Sequence, residues 1–365
     1  MAAWASPGGR LPAAKALLAL TRTGLSVPVS PPSLFLFVFS AKECIRLLRR
    51  TNRTIDPLFS QDSVVVGGDR LFTVNAGSNT LASFHIPKHD PSRPVLLGEP
   101  VDTVGNVPST VAYSAKHGLA CVANTGSRPG VQCFEAKPCG ALEARGPLMP
   151  LPIANQTAPV TGPANTVSDI LFNPSESALF VVLKGDGVAD GQVYAYKVED
   201  GEVAGEPVRS RLGGVPVAFG TAFTSDASAV VSSPGFGGAF VDISPDLAVT
   251  VASAVAVEGQ AAICWAAYSE TLGSVYLLDG GSPDVTALDV AGKSLGQTLT
   301  GYEAGMGNFD AVVAGNLLYA LQAGPAIAIF DLEKPGDTPA VVDLEHLGER
   351  ASWTGMAYYH AAQGY

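Results

Sequence analysis

The chain has 365 residues, with 40 glycines, 27 prolines, 15% charged residues and a formal net charge of −11. Frequent helix breakers, scarce charges and 47% apolar residues exclude a coiled coil, a helical bundle and a disordered chain, and they leave material for a large core. The acidic balance also excludes phosphate-backbone binding, so no nucleic-acid partner is expected.

Charge is unevenly placed along the chain. Residues 1–56 hold eight basic and two acidic side chains, a balance of +6, whereas the remainder carries −17. The first segment has Pro7, Pro12, Pro28, Pro31 and Pro32 and no sustained period of 2 or 3.6. Its apolar run Leu34 to Phe39 falls far short of the about 20 residues that span a bilayer. That run also lies too far from the start for a secretory h-region. The reading is a disordered or non-native segment over 1–56, a folded domain over 57–365, no membrane span and no clear signal peptide.

From Pro57 onward, short apolar runs come in pairs around Asn, Gly, Asp or Ser, the pattern of strand, turn and strand. The first pair is Leu71 to Val74 and Leu81 to Ile86, and the second is Leu119 to Ala123 and Val131 to Phe134. Leu179 to Leu183 with Val193 to Val198 form the third, and Ala229 to Ser232 with Ala239 to Ile243 the fourth. Val275 to Leu278 with Val285 to Val290 and Leu317 to Leu321 with Ile327 to Leu332 complete six. Successive units start 42 to 60 residues apart, and a further apolar run precedes most of them. About four strands per unit at this period predict an all-β fold, a β-propeller with six blades visible in the sequence. Ser352 to Tyr359 reads as one more strand. Its partners would lie upstream of Asp56, where no such pattern is found.

Several segments resemble a known family. These are Asp56-Pro57-Leu58-Phe59-Ser60-Gln61, Leu71 to Thr80, Asn155-Gln156-Thr157-Ala158-Pro159-Val160-Thr161-Gly162-Pro163, Thr166 to Asn173 and Ile263-Cys264-Trp265. They are similar to fungal secreted glycoproteins labelled 3-carboxymuconate cyclase-like, within the seven-bladed 6-phosphogluconolactonase-like propellers. The resemblance covers roughly residues 56–360 and implies seven blades and an extracellular location. Family members carry a signal peptide and a first blade before the point matching Asp56. Residues 1–55 match neither, so they are expected to be a mis-spliced or mispredicted start, with the first blade missing or incomplete.

Lactone formation and opening both move a proton beside a charged acid, which calls for a carboxylate-binding Arg and a proton donor or acceptor. Aligning the positions just before each innermost strand sets Ser168-Asp169 against Pro108-Ser109, Phe219-Gly220, Cys264-Trp265 and Gly307-Asn308. Ser109, Ser168, Asp169, Trp265 and Asn308 are therefore the candidate substrate-binding residues at the channel mouth. That ring has one carboxylate, one indole and no Arg or His. The 6-phosphogluconolactonase-like enzymes carry a His-containing pattern six residues before a Pro, and counting back from Pro174 the place is held by Ser168. No catalytic residue is assigned. Asp169 also suits a turn or cap, and Trp265 a blade core. Arg209 and Arg211 are read as a solvated loop before an inner strand. The five histidines form no metal-binding pair, and no phosphate-cradling or nucleophile-elbow motif is present, so neither metal nor cofactor is expected.

Cys121 and Cys133 stand about equally far from the turn between their strands, which allows a cross-strand disulfide; Cys139 is the rival partner, and Cys264 is expected to be a buried thiol. A disulfide fits an oxidising compartment, as does the glycosylation sequon at Asn155. Two functions remain. One is a secreted binding or structural scaffold holding a small acidic or carbohydrate ligand in its channel. The other is an enzyme, a lactonising isomerase or a lactonase, acting on an acidic sugar or muconate.

Overall fold

The structure is a computed structural model that describes residues 17–18, 34–40, 60–137, 140–153, 156–158, 160, 163–300, 307–345 and 353–360. It is a β-propeller with six blades, each an antiparallel meander running from an innermost to an outermost strand. Among the described residues no helix is long and apolar enough to cross a membrane.

The first blade is Val64–Gly67, Arg70–Asn75 and Thr80–His85, edged by Val95–Leu96 and Val101–Asp102. The second is Pro108–Ser114, Leu119–Asn124, Gly130–Ala136 and Leu142–Pro150. The third is Val167–Phe172, Ala178–Leu183, Gln192–Glu199 and Val208–Arg211, with the short Glu202–Val203 beside it. Thr221–Ser225, Ser228–Ser233, Gly237–Ile243 and Val249–Ala256 make the fourth, and Ile263–Ser269, Ser274–Asp279, Asp284–Asp289 and Ser294–Thr300 the fifth. The sixth is Asn308–Ala314, Leu317–Gln322, Ala326–Asp331 and Ala340–Asp343. The paired runs read from the sequence are the two central strands of each blade. Those strands are mostly buried because both faces of a blade pack on neighbours, as in Leu119–Asn124, Ala178–Leu183 and Ser274–Asp279, each buried throughout.

A further sheet of three strands closes the ring. Trp353–His360 pairs antiparallel with Leu34–Ser40, which in turn pairs with Leu17–Leu18. The sequence reading left the last strand without a partner; the partner is the apolar run that was dismissed as too short for a membrane. A continuous apolar run of this length is also what a buried strand looks like. The rest of 1–56 lies outside the described residues. Met356 packs into the apolar cluster of the sixth blade, and Ala357 and Tyr359 into that of the first, so the last strand seals the gap between them.

Cys121 and Cys133 are directly opposite in the second blade, their Cα atoms 4.0 Å apart, and form the disulfide. Of the two pairings left open by the sequence, the cross-strand one that the symmetric spacing allowed is formed. Cys139 and Asn155 lie outside the described residues. Cys264 is a free thiol and half-buried, not fully buried as expected.

Candidate functional site: the centre of the ring

Four innermost strands begin with the same irregularity. Their register against the second strand slips by one residue at Ser109, Ser168, Cys264 and Phe309. Each slip is a β-bulge, which bends the strand end and re-aims the residue after it. The residues that follow the bulges are Thr110, Asp169, Trp265 and Asp310. The sequence alignment therefore holds for Ser168-Asp169 and Cys264-Trp265, is one residue early in the second blade, and is two early in the sixth. The bulge is common to all four strands, so the offset came from where the two strand starts were set in the apolar pattern. The misplacement hid a second carboxylate, Asp310.

These residues join blades. Asp169 Oδ2 accepts the Thr221 N–H at 3.0 Å, tying the third blade to the fourth. Asp310 Oδ2 accepts the Met356 N–H at 2.7 Å, tying the sixth blade to the last strand. Thr110 Oγ1 accepts the Ile170 N–H at 3.3 Å, tying second to third. The segment that leads into the first blade supplies more such links. Ser60 Oγ donates to the Ser109 carbonyl at 2.5 Å, and the Gln61 N–H to the Ser168 carbonyl at 2.9 Å. The Gln61 amide then donates to the Thr221 carbonyl at 2.8 Å and accepts the Ala266 N–H at 3.2 Å. Asp62 turns the chain through the left-handed region (φ 56°), and its carbonyl accepts the Val111 N–H at 2.8 Å. Ser60 to Asp62 thus bonds the second, third, fourth and fifth blades at the axis. Gly220 makes room for it, since a Cβ there would stand 2.2 Å from Gln61 Oε1.

The predicted mouth residues are accordingly sealed rather than open. Ser109, Ser168, Asp169, Trp265 and Asn308 are all buried, none more than 2% exposed. Ser168 Oγ donates to the Val182 carbonyl at 3.0 Å. Trp265 lies between Phe219 and Phe309, with ring centroids 5.2 and 5.3 Å away. Asn308 donates to the Asp279 and Asp284 carbonyls at 3.3 and 3.1 Å and accepts from Gln322. Arg209 and Arg211 do precede the inner strand of the fourth blade, but they sit on the outermost strand of the third rather than in a loop, and Arg211 pairs with Asp190 at 3.0 Å.

Along the axis runs a cavity of about 330 Å³, lined by Gln61, Asp62, Thr221, Tyr268, Met356 and Tyr358 with Val and Ala side chains of the inner strands. Its lining includes no Lys, Arg or His. Burial pushes the Asp62 carboxyl up to about 7 and the Asp310 carboxyl up to about 8. Asp169 is raised well above its ordinary value, by burial first and by the Asp62 and Asp310 carboxyls after it. Taking a carboxylate out of water penalises the charged form, and neighbouring carboxylates add to the penalty. Nearby, the buried Lys184 donates to Thr166 Oγ1 at 3.1 Å and to the Val167 carbonyl at 3.3 Å, and its ammonium lies 4.4 Å from the centre of the Phe219 ring. Burial pulls it down to about 7. The Cys264 thiol goes the other way, up to about 12, so it is a poor nucleophile. Among the described residues no group of His, Cys, Asp and Glu is placed to hold a metal ion.

No protein-family model matches the chain, and no curated protein matches it in sequence. Solved structures do match in shape. A periplasmic gluconolactonase from Pseudomonas aeruginosa superposes with a TM-score of 0.61 at 14% identity, over 82% of this chain and 88% of its own. A Bacteroides fragilis protein named as a candidate 6-phosphogluconolactonase gives 0.59 at 14% identity, over 80% and 84%. A chain of a nidogen–laminin complex gives 0.51 at 12% identity, over 79% and 97%. The likeness is one of fold. It extends to lactonase-like propellers and to a propeller engaged in a protein complex, so the chemistry must be read from the residues themselves.

Proposed function

We propose that this chain is a secreted binding or structural propeller of the 3-carboxymuconate cyclase-like group, glycosylated at Asn155, whose channel carries out no cyclase or lactonase chemistry. The three-stranded closing sheet is read as an incomplete seventh blade. One observation carries the reading: the residues at the inner strand starts are buried and bonded blade to blade through Ser60, Gln61 and Asp62. A general acid must reach the proton it moves, and an anionic substrate needs a counter-charge; the cavity lining supplies no cation. The disulfide supports secretion, because such bonds persist in oxidising compartments.

A lactonising isomerase or lactonase is the second reading, favoured by Asp62, which faces the cavity with its carboxyl near 7, a value suited to proton transfer. An ultraviolet assay of the intact protein with 3-carboxymuconate and with gluconolactones separates the two. The scaffold reading expects a rate equal to the protein-free blank. Turnover that Asp62→Asn abolishes, with folding intact, would establish the enzyme instead.

A further inference from the structure

A larger cavity, about 750 Å³, opens between the first and second blades, away from the axis. It is lined by Asp69, Arg70, His85 and Leu97 of the first blade and by Tyr113, Ala115, His117, Glu135 and Lys137 of the second. Its volume falls in the roughly 300–1,000 Å³ range of small-molecule sites. The wall is built, not incidental. Gly67 leaves the space that the Tyr113 ring fills, since a Cβ there would lie 2.3 Å from that ring. Tyr113 then rests on Phe72 with centroids 4.4 Å apart, and the Arg70 guanidinium lies 5.4 Å from the centre of the same Phe72 ring. Arg70 is buried and bridges the blades by donating to the Lys137 carbonyl at 2.5 Å, while also donating to Ser83 Oγ at 3.3 Å. Tyr113, backed by the fully buried Phe72, therefore lines a cavity rimmed by groups that donate and groups that accept.

The charges on that rim are matched locally. Asp69 lies 3.6 Å from His85, Lys137 is 2.6 Å from Glu143, and Glu135 is 3.9 Å from Arg145. His117 Nε2 sits 3.0 Å from the Glu176 carbonyl. A phosphate or carboxylate ligand would meet Asp69 and Glu135, and a cation would meet Arg70 and Lys137. A purely apolar ligand would leave all of these groups without water. A neutral molecule with many hydroxyls both donates and accepts, and its apolar ring face suits an aromatic lining residue such as Tyr113. We infer that this inter-blade cleft is a binding site for a neutral saccharide of about two sugar units. The site is separate from the channel and holds whether or not the channel is catalytic.

Calorimetric and saturation-transfer NMR titrations of the full chain with cellobiose, maltose, lactose and diacetylchitobiose test this, with glucuronate and inorganic phosphate as the anionic arms. At least one neutral disaccharide should bind saturably, near a millimolar dissociation constant. Tyr113→Phe, which keeps the ring and removes the hydroxyl, should weaken that binding about three- to tenfold. Ala115→Trp, placed on the exposed rim, should abolish it at an unchanged unfolding midpoint. Failure of all four disaccharides to bind would overturn the inference. So would tighter binding of glucuronate or phosphate, or neutral-sugar binding untouched by Ala115→Trp.

Discussion

The thermal unfolding midpoint should fall as pH rises from 4 to 8, opposite to the usual behaviour of proteins whose carboxylates form ion pairs. Asp62, Asp169 and Asp310 all have raised carboxyl values in the folded ring, about 7 for Asp62 and about 8 for Asp310, against about 4 in an unfolded chain. Between those values the folded state holds protons that the unfolded state has released. Their contribution to stability is therefore complete below about pH 4 and lost as pH climbs through the folded values. Each retained proton adds about 1.4 kcal/mol per pH unit to the slope while the two states differ. From about pH 7 upward Lys184 works against this loss, and at higher pH Cys264 opposes Lys184. Lys184, lowered in the fold, recovers stability as pH rises toward its unfolded value of about 10.4. Cys264, raised in the fold, loses it above about 8.5. The steep limb should thus lie on the acid side of pH 8. Asp169→Asn should flatten it, because an amide oxygen can still accept the Thr221 N–H and the other carboxyl oxygen, Oδ1, has no hydrogen-bond partner to lose. A midpoint that rises with pH over this range would contradict the assignment.

Gly220→Ala should be among the most damaging single substitutions in the chain. The added carbon would lie 2.2 Å from Gln61 Oε1, 2.9 Å from the Cys264 carbonyl oxygen and 3.0 Å from the Ala266 nitrogen. Gln61 is a side chain and can move, but only by giving up its bonds to Thr221 and Ala266 in the buried centre. Backbone contacts to the fifth blade then remain too close. Leaving buried polar groups unpaired costs about 1–3 kcal/mol each, and overpacking adds about as much again, so a loss of about 4 kcal/mol or more is expected. Gln61→Ala should cost less, about 2–4 kcal/mol, because it leaves two orphaned backbone groups without a clash. In the Gln61→Ala background, Gly220→Ala should cost less than it does alone, which a double-mutant cycle by chemical denaturation measures. Strictly additive effects would mean that the Gln61 side chain does not occupy the space beside Gly220.

Most of the fold was legible because its signals are local. Gly- and Asn-rich turns between apolar runs located the central pair of strands in all six blades, and equal distances from one turn made Cys121–Cys133, the pairing that forms, one of two candidates. The centre was less legible, for two reasons. The apolar runs set the strand starts one residue early in the second blade and two early in the sixth, which left Asp310 outside the set under consideration. Gln61 reaches a partner 205 residues away, and nothing near it in the sequence signals that contact. Leu34–Ser40 misled in a different way. Its composition fits a buried strand as well as a membrane or leader segment, and only pairing with Trp353–His360 distinguishes them.

The account turns on buried carboxyls that hold a proton in the folded ring, two of which, Asp169 and Asp310, also link neighbouring blades. Carbon-13 NMR titration of the aspartate carboxyls in the intact protein tests this most directly. It should resolve Asp62 and Asp310 titrating near 7 and 8 and a third carboxyl, Asp169, raised above the ordinary aspartate range, whose resonance is lost in Asp169→Asn. Ionisation of every aspartate at ordinary acidic values would contradict it.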